Sequence, residues 1–242
     1  MIIDRRLRLW TMVVEHSHGR GATIDNVGAV MLSTAGIDAA AIVVVLTTTP
    51  RETLYTSDGL AEALEDLTMT IGEGPSVEAI ADGPSLVADL RDPQYLTRWP
   101  AFAPAAIGCG IQAVFALPLR VGGIRLGVMD LYRRVPGALE GEPLADALML
   151  TDLACALLLD NAHADQSDQD EPPERTALQH PEVHQATGMI TEQLGVSAAV
   201  ALVRLRAHAY TVDRALRDVA SDVVTRVLRF DPDESTDATD LR

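Results

Sequence analysis

Lysine is missing from this chain: all 19 basic residues are arginine. A phosphate loop of the G-K-[ST] type is thereby excluded, and arginine is left as the strong side-chain contact for phosphate. Cysteine is nearly missing as well. Cys109 and Cys155 stand alone, without C-x-x-C spacing or a histidine at ligand spacing, and both are expected as small core side chains. No apolar run reaches the ~18 residues of a membrane span. The start, M-I-I-D-R-R-L-R-L-W, is too charged for a secretory signal, so the expected location is cytoplasmic. Neither G-x-S-x-G nor H-E-x-x-H occurs, and Pro181 interrupts the i, i+4 pair His180 and His184. These absences predict no catalytic residue, no metal site and no enzyme.

What is present is acid, at a formal net charge of −16, which argues against a simple basic nucleic-acid binder. Its distribution matters more than its sum. Residues 1–159 carry 11 Arg against 19 acids (−8), 160–173 carry 5 acids and no Arg (−5), 174–230 carry 7 Arg against 6 acids (+1), and 231–242 carry 1 Arg against 5 acids (−4). With 242 residues, two cores are the natural expectation. The spacing predicts four segments: a domain over 1–160 with N-terminal helices, an acidic linker over 161–176 containing Pro172-Pro173, a three-helix bundle over 177–230, and an acidic disordered tail over 231–242.

In the first segment, Leu7, Leu9, Trp10, Val13 and Val14 have helical spacing, and a second such pattern runs from Ile24 to Leu32. Either helix fits a dimer seam or its own sheet. The β-branched run 39–49 predicts a buried strand, paired with 52–57 across Pro50-Arg51. A helix is expected over 58–69. In the loop 70–76, Glu73 opposes phosphate binding, and Ser76 is expected as a helix cap. A strand over 85–90 follows. The alternating runs 111–121 and 124–133 meet at Gly122-Gly123 as a hairpin, before a long apolar helix over 144–159. The succession predicts an α+β domain with a mainly antiparallel sheet between helices.

The second segment has three helical patterns. Val183, Ala186, Ile190 and Leu194 make the first; Ala198, Ala201, Leu202, Leu205, Ala209 and Val212 the second; Leu216, Val219, Ala220, Val223 and Val227 the third. Gly195 and Ser197 read as a stop and an N-cap, and Asp213 as the next N-cap. Val203, Arg206 and Tyr210 then share a strip, as do Arg214, Arg217 and Ser221. Arginines beside an aromatic able to stack on an unpaired base suit single-stranded RNA loops. The alternative is that Tyr210 completes the core and the arginines form a solvated face with partners such as Arg214–Asp218.

Both segments resemble known families. Gln185-Ala186-Thr187-Gly188-Met189, Ala201-Leu202, Leu205-Arg206, Ala209 and Leu216-Arg217-Asp218-Val219-Ala220 make the second similar to the ANTAR domain, the RNA-binding module of transcription antitermination regulators. Gly72-Glu73-Gly74-Pro75, Ala88-Asp89-Leu90, Trp99-Pro100, 115–119 and 127–132 make the first resemble a GAF domain, of the type that precedes ANTAR in actinobacterial regulators. GAF domains are sensory modules that bind small ligands in some members and only mediate contacts in others. The resemblance therefore implies a regulator that binds stem-loops in nascent transcripts through Gln185, Thr187, Gly188, Arg206, Tyr210, Arg214 and Arg217. It also implies a homodimer, a small-molecule or signalling partner of the GAF-like domain, and no membrane, and it leaves the cofactor unknown. Many ANTAR members have lysine where this chain has Thr187 and Ala215, and asparagine where it has Asp213, so weaker and less salt-dependent binding is expected. The alternatives are a protein-interaction and dimerisation module that does not bind RNA, its GAF domain sensing a small ligand, and an enzyme using the sensor pocket.

Overall fold

A computed structural model describes residues 2–45, 51–167 and 180–231. Its contacts divide into two compact units, Met1–Thr68 with Gly72–Gln179 and Met69–Ile71 with His180–Arg242.

Unit 1 is built on a five-stranded antiparallel sheet, β1 (Ala39–Val44), β2 (Glu52–Thr56), β3 (Ser85–Val87), β4 (Ala113–Val121) and β5 (Ile124–Arg133), in the order β2-β1-β5-β4-β3. Alternation along the strands sends side chains to two faces. Ala40, Ile42, Phe115, Leu117, Leu119, Met129 and Leu131 pack under the helices α1 (Ile2–His16), α2 (Ile24–Thr34) and α7 (Gly141–Ser167). Ala39, Ala41, Val114 and Tyr132 face α3 (Gly59–Ile71), α5 (Pro93–Arg98) and α6 (Phe102–Gly108), while Val43, Ala116 and Val128 face α4 (Pro75–Asp82). Caps written in the sequence start several of these helices. Thr23 and Asn26 form a reciprocal capping box on α2, and Asp58 accepts from Ala61 N at 2.9 Å to open α3. Gly127 of β5 lies where a Cβ would collide with the Val43 carbonyl, so that close approach needs glycine.

Unit 2 is a bundle of α8 (Pro181–Leu194), α9 (Ala198–Thr211) and α10 (Leu216–Val224). Gly195, at φ 63°, ends α8 in the left-handed conformation that glycine adopts most easily. Ser197 caps α9 through Val200 N, and the chain turns by 106° between the two helices. Val183, Ala186, Ile190, Leu205, Ala209, Leu216, Val219, Ala220 and Val223 are buried together. Four of the contact residues, Ala186, Ala201, Ala209 and Ala220, are alanines at 0% exposure, and their small side chains let three short helices approach closely.

Several expectations need correction. Cys109 is exposed, because it caps the C-terminus of α6 rather than entering the core; Cys155 is buried. Asp213 is not an N-cap: it takes φ 51° in the turn, and α10 starts after Ala215. Ser76 lies inside α4, whose N-cap is Gly74. Ala198, Val212 and Val227 are exposed, the last two lying beyond helix ends where the 3.6-residue period no longer applies. Residues 161–167, expected as linker, continue α7 as helix. The strand expected over 85–90 is shorter, at Ser85–Val87. The remainder of the expected linker, the tail beyond Asp231 and the turn before Arg51 lie outside the described residues.

Candidate functional site

The candidate RNA-binding residues of unit 2 fall on α8, α9 and the start of α10. On α8, Gln185 and Gly188 are exposed and three apart, hence neighbours on one face, and among the described residues nothing beyond the adjoining helix turns lies within 4 Å of where a Gly188 Cβ would be. Thr187 points elsewhere. It is half-buried, and its hydroxyl donates to the Val183 carbonyl at 2.7 Å, which occupies its proton within the helix.

On α9, Val203, Arg206 and Tyr210 follow at i, i+3 and i+7 along one strip. Tyr210 is 62% exposed, so it does not complete the core, and an aromatic face is presented outward. Core closure falls instead to Phe230, buried edge-on against His208 at 5.5 Å, with its backbone N–H donating to Gln193 at 3.0 Å. Arg206 is half-buried.

Arg214 sits in the turn before α10, its N–H bound to the Ala209 carbonyl at 3.0 Å. Its guanidinium pairs with Asp222 at 2.6 Å rather than with Asp218, because Arg214 precedes the helix and the i, i+4 rule does not reach it. Arg217, on α10, lies 3.9 Å from Asp218 with both side chains largely exposed. Exposed pairs of this kind contribute about 0.2–1 kcal/mol, so an incoming phosphate competes with them at small cost. Arg204, Arg226 and Arg229 are exposed cations of the same unit outside the predicted set. An arginine anywhere on a solvated surface looks the same in sequence, so no signal singled them out.

Unit 1 holds a different constellation that the sequence reading missed. Arg51, at the foot of β2, Glu65 of α3, Ser76 of α4, and Asp130 and Tyr132 of β5 meet in the interior, with exposures of 7%, 3%, 2%, 0% and 1%. Arg51 Nη2 donates to Ser76 Oγ at 2.6 Å and to Glu65 Oε2 at 3.1 Å. Ser76 Oγ donates to Asp130 Oδ2 at 2.5 Å, and the Tyr132 hydroxyl donates to Glu65 Oε1 at 2.7 Å. Burial, and then the charge of Glu65, pushes the Asp130 carboxyl well above the usual carboxylate range; burial first and Glu65 second also raise Tyr132. The available signal was the lone aspartate in the otherwise apolar run Gly127-Val128-Met129-Asp130-Leu131-Tyr132.

The loop before α4 has a structural task. Glu73 accepts from the backbone N–H groups of Ala101 and Phe102, both at 2.8 Å, and so anchors the start of α6. A groove of about 230 Å³ beside β3 is lined by Glu78, Asp82, Leu86, Tyr95 and Arg98, and there Glu78 is held by Arg98 and by Trp99 Nε1. Among the described residues, no group of three or more His, Cys, Asp or Glu is placed to hold a metal ion. No single described helix is long and apolar enough to cross a membrane.

Solved structures similar to this chain include a domain of a two-component sensor histidine kinase protein from Sinorhizobium meliloti 1021, at 18% identity and TM-score 0.49, over 58% of this chain and 92% of that one. The GAF domain region of a membrane protein from Geobacter sulfurreducens PCA matches at 21% identity and TM-score 0.46, over 66% and 98%. The GAF domain of a phosphoenolpyruvate-protein phosphotransferase from Coxiella burnetii matches at 14% identity and TM-score 0.46, over 67% and 97%. A comparison with curated proteins returns no match. The family model of the ANTAR domain matches residues 174–224, the stretch that contains α8, α9 and α10, and the C-terminal region of this chain therefore carries an ANTAR domain.

Proposed function

We propose that this protein is an RNA-binding transcription antitermination regulator that acts in the cytoplasm, recognising stem-loops of nascent transcripts through unit 2, with unit 1 as its sensory and dimerisation domain. The observation that carries this reading is the ANTAR match over 174–224, joined to an outward-facing Tyr210 on the Arg206 strip of α9. Tyr210 would stack on an unpaired loop base, Arg206, Arg214 and Arg217 would contact phosphates, and the bare Gly188 surface beside Gln185 would admit a close backbone approach. The proposed domains are the segments read from the sequence, 1–160, 161–176, 177–230 and 231–242, except that α7 carries the first of them on to Ser167.

The role is regulatory rather than catalytic. A ligand or partner that binds one state of unit 1 more tightly than another would shift the population competent for RNA. The test is titration of the full-length protein into labelled stem-loop RNA at two salt concentrations. Saturable binding that weakens with salt supports the reading; its absence at both salts refutes it.

One observation favours dimerisation. Leu7, Trp10 and Val14 leave the buried Leu9 and Val13 face of α1 and stand exposed at 63%, 39% and 42% in one stripe. Arg8 holds α1 to Asp146 of α7 at 2.7 Å, so the stripe is presented on a fixed helix. A second copy would cover it, and a protein that dimerised without binding RNA would be an interaction module. Sedimentation of Leu7→Glu/Trp10→Glu decides: a monomer beside a dimeric parent supports the seam, and an unchanged dimer excludes it.

A further inference from the structure

The buried constellation of unit 1 does not balance as drawn. One cation, Arg51, lies between two acids, Glu65 and Asp130, all less than a tenth exposed, so ionisation of both acids would leave one more negative than positive charge in this set. A charge without a partner in a low-dielectric interior is resolved by taking up a proton. The hydrogen bonds say where it goes. Both oxygens of Glu65 already accept, from Arg51 and from the Tyr132 hydroxyl, and Asp130 Oδ2 accepts from Ser76. Asp130 Oδ1 is buried and, among the described residues, meets no donor. Arg51 Nη2 stands 3.1 Å from Glu65 Oε2 and 3.6 Å from Asp130 Oδ2, so the two carboxyl groups crowd one nitrogen, and two such groups attract only when one of them carries hydrogen.

We infer that Asp130 and Glu65 form a proton-binding site, holding a single proton between β5 and α3 that keeps α3 and α4 fastened to the sheet. The proton sits on Asp130, whose Oδ1 is the buried oxygen that meets no donor among the described residues. With it in place, Asp130 accepts from Ser76 of α4, and Glu65 of α3 accepts from Arg51 and Tyr132, so both helices are tied to strands by one connected set of bonds. Once the proton leaves, two carboxylates face each other, and Arg51 Nη2, 3.1 Å from Glu65 and 3.6 Å from Asp130, is shared between them. Among the described residues, those opposite Asp130 on β1 and β4 are Ala41 and Ala116, and α4 contributes the uncharged Ser76. A rise in pH is therefore a signal this half of the chain is built to register, through release of α3 and α4. The inference goes beyond the RNA reading and does not depend on it.

The test uses the full-length protein. Infrared spectra in the carboxyl region should show a protonated acid at neutral pH, where solvent-exposed acids are ionised, and the band should vanish in Asp130→Asn and shift in Glu65→Gln. Raising the pH should remove the wild-type band and speed amide exchange in α3 and α4 by about tenfold or more beyond the base-catalysed rise shared by every amide, a rise that the helices of unit 2 report over the same pH step. If either variant fails to fold, the wild-type titration decides alone. A wild-type protein with no acid band at neutral pH, or a band that both folded variants retain, overturns the inference. Because none of these readouts involves RNA, failure of the antitermination reading would leave them standing, and the reverse holds.

Discussion

In unit 1, Arg51, Glu65 and Asp130 are all under a tenth exposed and joined by hydrogen bonds, whereas in unit 2 Arg214 and Arg217 lie near the surface in pairs with side-chain exposures of 30% to 58%. A buried charge is expensive and must be matched atom by atom, so it fixes where helices sit. An exposed one is cheap to rearrange and is left available to an outside anion. The first pattern is the one that the proposed proton site requires, and the second the one that the proposed RNA surface requires.

The difference is sharpest where the buried set loses its cation. Arg51→Ala strands Glu65 and Asp130 together and should destabilise unit 1 by about 3–5 kcal/mol in urea unfolding. A loss below ~1 kcal/mol would mean the ion set does not hold the helices. Next in size is the bundle core. Ile190→Ala, at 0% exposure, should cost unit 2 about 2–5 kcal/mol by the same method, and the ion set of unit 1 should be unaffected.

Tyr210→Ala should separate folding from binding. At 62% exposure its loss should change stability by no more than about 0.5 kcal/mol, while stem-loop affinity measured by titration should fall by about 1–3 kcal/mol.

The pH dependence follows from the direction of one shift. Burial, then Glu65, raises the Asp130 carboxyl in the folded state, so the native protein keeps a proton that the unfolded chain releases near pH ~4. The stability this group contributes is complete below that pH and is lost as pH rises through its folded value. Urea midpoints should fall over that range in wild type and run flatter in Asp130→Asn. The smallest effect is expected at Gly188→Ala: the open surface there accepts a methyl group, so the bundle should gain up to about 1 kcal/mol in thermal unfolding, while RNA binding weakens if the backbone is approached closely.

Much of the fold was legible because it is carried by period. The run 113–121 alternates, Gly122-Gly123 turns, and β4 pairs with β5 from Ala113↔Arg133 to Val121↔Ile124. The bundle was legible through Ala186, Ile190, Leu205 and Val219, which recur at helical spacing and are buried. What escaped depends on neighbours distant in sequence. Asp130 and Glu65 are 65 positions apart, and Ser76 joins them only once α4 has packed on the sheet, so no local pattern announces the set. Asp213 failed as a cap because Arg214 N reaches back to the Ala209 carbonyl, a tight turn that displaces the helix start. Cys109 shows the limit of composition: a residue type usually buried ends a short helix at the surface.

Whether the arginine and tyrosine face of unit 2 contacts RNA is read from the affinity of full-length Tyr210→Ala/Arg217→Gln for a stem-loop at low and moderate salt. The prediction is a folded protein with affinity reduced at both salts and a salt slope shallower by about 0.7–0.9, the change expected for one lost phosphate contact. Unchanged affinity and slope in a folded variant would contradict it.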